Sequence, residues 1–261
     1  MIRSKKEKRA RLAAAAEQLE MLYPESVCAL EYGGDPWRLL VMGRLSAQCT
    51  DARVNVVCKD LFAKYPNSAA MAAADVADIE KIVKPCGLYR TKAANIKDAS
   101  VMLERDYDGV LPDDMDELLK FPGVGRKIAN LLLGDVFGKA AIVCDTHCIR
   151  ICARLGMYPE SLKDATKIEF ILRDLMDAEK GSDFCHRIVS FGRDICTARS
   201  PKCDACPMRE RGICAAVPRV DNQTKRVCAR TSERVQIAPR RLDEGERSAQ
   251  HQAKRLRRKG V

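Results

Sequence analysis

No apolar run in this 261-residue chain approaches the length of a membrane span, which excludes a transmembrane helix from the reading. The first residues, Met1 to Arg11, are basic and lead into Leu12-Ala13-Ala14-Ala15-Ala16-Glu17, a helical start without the apolar core of a secretory signal. The expected location is therefore inside the cell. No segment alternates apolar and polar residues as a half-buried strand does, and no internal repeat is present. With 46% hydrophobic and 31% charged residues, the composition is that of a globular protein, and the expected fold class is all-α.

Excess charge is also scarce over most of the chain. The net charge is +10, but residues 215–261 hold 13 Lys and Arg against 5 Asp and Glu and account for +8 of it. The rest is nearly neutral, so any face for a polyanion on it must be local. Beyond Pro218 the apolar periodicity is lost, and 215–261 is expected to be a disordered basic tail. Before it, helical patterns run over 5–22, 36–45, 51–62, 69–84 (one or two short helices), 91–105, 115–120, 126–137, 145–155, 162–178 and 183–191. Pro36 suits a first helical turn and Gly156 a helix stop.

Cysteine, by contrast, is abundant: there are 13. Without an export signal a disulfide framework is not expected. Nine are scattered (Cys28, Cys49, Cys58, Cys86, Cys144, Cys148, Cys152, Cys185 and Cys228) and read as small buried hydrophobes. Cys144, Cys148 and Cys152 are spaced to stack on one helix face. A metal there is conceivable, but core packing is the preferred reading. The other four, Cys196-x6-Cys203-x2-Cys206-x7-Cys214, gather in 19 residues, a density that calls for a metal centre. Only Cys203 and Cys206 form a close couple of the kind zinc sites pair. Four ligands in one compact loop suit an iron–sulfur cluster, and spacing alone leaves both centres open. Arg193, Arg199, Lys202, Arg209 and Arg211 make the loop basic, fit for phosphates or for balancing an anionic centre.

Leu119 to Asn130 reads as helix, tight turn through Gly123-Val124-Gly125, then helix, with Lys127 in its first turn. The glycines allow a backbone course that side chains would obstruct. The unpaired amides that open the second helix make an anion site suited to a phosphate. The stretch therefore suggests a clamp for a nucleic-acid backbone with a candidate nucleophile beside it.

Hairpin, aspartate and cysteine loop together resemble the endonuclease III family, DNA base-excision repair glycosylases of the helix-hairpin-helix superfamily. The resemblance is carried by Leu45-Ser46-Ala47-Gln48-Cys49-Thr50-Asp51, Gly87-Leu88-Tyr89-Arg90-Thr91-Lys92-Ala93, Phe121-Pro122-Gly123-Val124-Gly125-Arg126-Lys127, Asp145-Thr146-His147, and Gly192-Arg193 leading into Cys196. It covers about residues 11 to 214. Three departures stand out: seven residues before the last cysteine where five are usual, Cys144 where valine is usual, and Phe121 where leucine is common. None removes a ligand or a reactive group. The basic tail is not explained by the resemblance.

The resemblance implies a two-lobed helical fold. One lobe would span 29–139 and end with the hairpin. The other would combine 1–28 with 140–214 and hold a [4Fe–4S] cluster on Cys196, Cys203, Cys206 and Cys214, with the active site in the cleft between lobes. It also implies a bifunctional DNA glycosylase and AP lyase, a monomer acting on oxidised pyrimidines in damaged double-stranded DNA, at the bacterial nucleoid. Lys127 would be the nucleophile. Its amine attacks only when unprotonated, and the positive end of its helix and neighbouring Arg126 favour proton loss. The local sequence alone fits a phosphate-contacting lysine as well. Asp145 would stabilise positive charge on the sugar, or serve merely as a helix N-cap.

Gln48 would fill the gap left by a flipped nucleotide, and Leu88 would wedge against the opposite strand. Their plainer readings are a helix-end polar residue and turn packing. Gly123, Val124, Gly125 and Arg193 would contact DNA. Arg90 and Lys92 are read as phosphate contacts or solvated charges, and His147 as structural. Two alternatives remain: a monofunctional mismatch or adenine glycosylase of the same superfamily, and a non-enzymatic DNA-binding module with a metal-stapled loop.

Overall fold

A computed structural model of the protein describes residues 4–216; the tail from residue 217, including Cys228, lies outside the described residues. Among the described residues there are twelve α-helices and no strand. The chain divides into two compact units, one built on residues 28–141 and one combining the segment up to residue 27 with the chain from 142.

The 28–141 unit is organised by α2 (Pro36–Leu45), seven of whose ten residues are buried. Asp35 caps it, accepting from the Arg38 amide, and Pro36 occupies the first helical position, where no amide is needed. Around it lie α3 (Asp51–Lys64), α4 (Ser68–Ala72), α5 (Val76–Val83), α6 (Tyr89–Tyr107), α7 (Met115–Leu118) and α8 (Arg126–Asp135). Helices α4 and α5 pack on α6, and α2 packs on α8. The close approach of α2 to α8 rests on Gly43, where a Cβ would stand 3.3 Å from the Ile128 side chain. Trp37 is buried in the core, and its indole N–H reaches the Ser100 hydroxyl at 3.0 Å.

The other unit packs α1 (Lys5–Leu22) against α10 (Ala165–Leu175), α11 (Gly181–Asp194) and the short α12 (Pro207–Glu210), with α9 (Thr146–Arg154) on α11. A capping box between Ser4 and Glu7 opens α1. Gly192 lets α9 and α11 touch: a Cβ there would fall 2.5 Å from the His147 ring and 3.0 Å from Ile151.

The all-α expectation holds. Helix ends differ where local capping outranks apolar pattern. Asp164 caps α10 and delays its start to Ala165, and α7 stops at Leu118. Helix α12, inside the cysteine loop, is too short to show a period and was not expected. Cys144, Cys148, Cys152 and Cys185 are all buried, as core packing requires. Hydrogen bonding with those neighbouring thiols, together with burial, holds the Cys148 thiol far above its ordinary range. Burial likewise pushes Cys58 up to about 12, so both thiols stay protonated and inert.

Candidate DNA-binding, catalytic and cluster-binding site

In the 28–141 unit the hairpin joins α7 to α8. Gly123 sits at φ +77°, and a Cβ there would lie 2.5 Å from Arg44 Nε and 2.8 Å from Asn95 Oδ1. Glycine is therefore demanded twice, by conformation and by space. Arg44 Nε and Nη2 both donate to Asn95 Oδ1, at 2.9 and 2.7 Å, so an arginine from α2 and an asparagine from α6 form the bed on which the turn rests. Nothing local in the sequence marked that pair. Gly123→Ala is expected to destabilise the protein by about 1–3 kcal/mol, since an alanine at positive φ is strained and the bed must move. A lower unfolding midpoint in urea checks this; an unchanged one would mean that neither the backbone conformation nor the space at Gly123 demands glycine.

Val124 is only 7% exposed: its side chain joins the core and its amide bonds to Phe121 O at 3.0 Å. Gly125 and Lys127 are exposed. Gly125 is the N-cap of α8 and, having no side chain, makes no side-chain cap hydrogen bond.

Gln48 and Leu88 are both exposed, and both adopt left-handed backbone conformations, φ 55° and 47°. Gln48 follows the end of α2; Leu88, 57% exposed, is the N-cap of α6. Arg90 is exposed, with its guanidinium 5.6 Å from the Tyr89 ring centroid. Lys92 corrects the sequence reading. It is fully buried and donates from Nζ to Leu45 O and Cys86 O, each at 2.8 Å, so it can be neither a phosphate contact nor a solvated charge. Sequence alone counts a lysine in a polar helical stretch as exposed; only packing reveals the exception.

In the other unit Asp145 is the N-cap of α9. Its Oδ1 accepts from the Cys148 amide at 2.7 Å, and its Oδ2 lies 3.1 Å from His147 Nδ1. The carboxylate is thus oriented at two oxygens while its side chain remains 17% exposed. The cap is fact, and it fixes the group that chemistry would use. Arg193 is exposed in the last turn of α11.

The four cysteines 196, 203, 206 and 214 are free of disulfides and only partly buried. Cys206 lies within electrostatic reach of Cys196 and Cys214, and its sulfur receives the amides of Met208 and Arg209. Arg154 Nη1 stands 3.2 Å from Cys196 Sγ and also holds Thr197 O at 2.9 Å. Arg209 Nε is buried without a partner. Cation and amide donors aimed at thiols are what an anionic thiolate-bound cluster needs, so these residues fit one.

The long last spacer is absorbed locally. Gly212, at φ +66°, ends α12 with its N–H on Arg209 O at 2.9 Å and Ile213 N–H on Met208 O at 2.8 Å. This Schellman turn brings Cys214 back, with its amide also on Met208 O. Among the described residues no three ligand-type side chains converge on a point for one metal ion.

Residues 41–178 match the model of the HhH-GPD superfamily of base excision DNA repair proteins, and residues 196–211 match the iron-sulfur binding domain of endonuclease III. The endonuclease III of Bacillus subtilis is 43% identical over 188 residues, 72% of this chain and 84% of that protein. The chain belongs to the endonuclease III family. The Escherichia coli K12 endonuclease III is 36% identical over 187 residues, 71% of this chain and 86% of that protein. A solved non-covalent endonuclease III–DNA complex superposes with a TM-score of 0.75 at 36% identity, covering 84% of this chain and 98% of that one. As a family member the protein is a base-excision repair DNA glycosylase that binds DNA and carries a [4Fe–4S] cluster. The iron–sulfur match ends at residue 211, short of Cys214, where the spacer is longer.

Proposed function

We propose that the protein is a bifunctional glycosylase and AP lyase that removes oxidised pyrimidines from damaged double-stranded DNA, acting as a monomer on the nucleoid in the bacterial cytoplasm. The observation that carries this reading is an exposed lysine, Lys127, in the first turn of a helix whose N-cap is a glycine with no side-chain cap. The amides that open this helix suit a backbone phosphate, which would set the sugar beside the amine. Lys127 Nζ forms a bond to the anomeric carbon as the bond to the base breaks, and the electron pair leaves with the base, which takes up a proton. The sugar ring opens to an iminium. Loss of a C2′ proton then expels the 3′ phosphate by β-elimination, and water hydrolyses the imine to free the lysine. Asp145, held by its two hydrogen-bond partners, stabilises the positive charge that develops on the sugar and helps take a proton from the amine.

Gln48 and Leu88 enter the duplex when the damaged nucleotide leaves it, Gln48 in the gap and Leu88 against the opposite strand. Gly123, Gly125 and the backbone at Val124 meet phosphates, as does Arg193. Cys196, Cys203, Cys206 and Cys214 hold the cluster, which staples their loop and takes no part in bond breaking.

A duplex with one oxidised pyrimidine tests this. The strand should be cut without alkali, on the 3′ side of the lesion. Base release with cutting only after alkali would mark a monofunctional enzyme, and binding without base release a DNA-binding module.

A further inference from the structure

Lys92 is fully buried, the one buried lysine among the described residues, and the chemistry above makes no use of it. A buried ammonium is costly, and burial lowers its pKa. Its two acceptors explain why the fold retains it. Leu45 is the last residue of α2, and Cys86 ends the 3-10 turn Lys84–Cys86. Both carbonyls belong to helix ends, where acceptors lack intrahelical partners and a cation is favoured. Leu45 lies three residues before Gln48, and Cys86 two residues before Leu88.

Each bond therefore ties down the root of one of two segments whose exposed tip has a left-handed, non-glycine backbone. Such conformations persist only where the surroundings over-determine them. The reach is set by helix geometry. Lys92 lies one turn into α6, its amide bonded to Leu88 O at 3.0 Å, and helical side chains lean toward the N-terminus, back over the Leu88 turn. Sequence separation between the two tips is 40 residues; the Cys49 and Cys86 thiols also hydrogen-bond to each other, and the Lys92 ammonium adds a bond to a backbone carbonyl of each segment.

We infer that Lys92 is a positioning residue for nucleotide extrusion: its ammonium clamps the Gln48 and Leu88 segments to each other, so that both tips enter the duplex as one preset unit. The inference rests on the reading of Gln48 and Leu88 as inserting residues. A misplacement of about 1 Å at a reacting assembly costs roughly 10²-fold in rate, and loss of the clamp releases both roots together.

The test uses the full-length, cluster-loaded protein and borohydride trapping of an abasic site, once in duplex and once in single-stranded DNA. Single-stranded DNA has no stack to open and no gap to fill. Lys92→Met keeps the length of the chain and removes the donor. It should lower the duplex trapping rate by about 10²-fold while single-strand trapping stays within about threefold, with the cluster's visible absorption and helical circular dichroism retained. Gln48→Ala and Leu88→Ala should lower the duplex rate selectively too. If those two leave the duplex rate unchanged, the insertion reading fails and the clamp has no purpose. If they lower it and Lys92→Met does not, the clamp alone is wrong. An equal fall on both substrates would make Lys92 merely structural and overturn the inference. Should Lys92→Met not fold, Lys92→Gln, uncharged and one atom too short to hold both carbonyls at 2.8 Å, takes its place and is judged by the same ratio.

Discussion

Lys127→Gln should bind a duplex with an abasic site nearly as well as the parent protein and yield no covalent adduct when borohydride is added. Glutamine keeps a polar side chain at an exposed position in the first turn of α8, and no buried contact is lost. The backbone amides that open the helix remain, so phosphate binding survives. What disappears is the amine in the first turn of α8, and the glutamine in its place cannot form an imine, because an amide nitrogen is not nucleophilic. Strand cutting should fall by at least about 10³-fold, the order expected when a covalent nucleophile is removed. The parent adduct, resolved as a shifted band in a denaturing gel, is the reference. An undiminished adduct with Lys127→Gln would move the Schiff base to another amine. A loss of binding that matched the loss of adduct would return Lys127 to the role of a phosphate contact.

Asp145→Asn separates two roles that coincide in one side chain. Asparagine is as good an N-cap as aspartate, so the bond from the Cys148 amide, 2.7 Å in the parent, should persist and the unfolding midpoint should barely move. The negative charge is lost. If the carboxylate stabilises a cationic sugar, base excision should fall by about 10²–10³-fold, the usual cost of removing one preorganised electrostatic partner at a transition state. Asp145→Ala should lose the cap as well, at about 1 kcal/mol. Single-turnover excision beside thermal unfolding reads both quantities. Full activity in Asp145→Asn would leave the residue a cap alone. His147, whose Nδ1 stands 3.1 Å from Oδ2, would face an amide nitrogen in this variant. His147→Ala in the parent background therefore shows how far orientation, as distinct from charge, contributes.

Much of this was legible in one dimension, for reasons that differ by residue. Helices α1 and α2 begin and end where the sequence indicates, because Ser4 with Glu7 and Asp35 with Pro36 are local signals, settled within a turn. The hairpin is legible because Gly123 and Gly125 bracket a single residue, and a φ of +77° at Gly123 has few alternatives. The iron–sulfur loop is legible because its four cysteines lie within 19 residues. The extra residues before Cys214 looked like a departure, but the turn at Gly212 absorbs them.

The rest depended on contacts between residues far apart in sequence. Arg44 and Asn95 are 51 residues apart, and neither carries a local mark of supporting Gly123. Arg154 reaches Cys196 across 42 residues. Val124 was legible as part of the turn, but not that its side chain would turn into the core. Lys92 is the clearest case. Composition and helical pattern make it a surface charge, and by type lysine is almost never buried. Two carbonyls at helix ends, one 47 residues before it, turn it inward. Local chemistry — caps, turns and clustered ligands — is written along the chain, because its partners are neighbours. Whether an exposed-looking charge is solvated or buried is decided only when the chain has folded, because desolvation depends on atoms that sequence distance does not reveal.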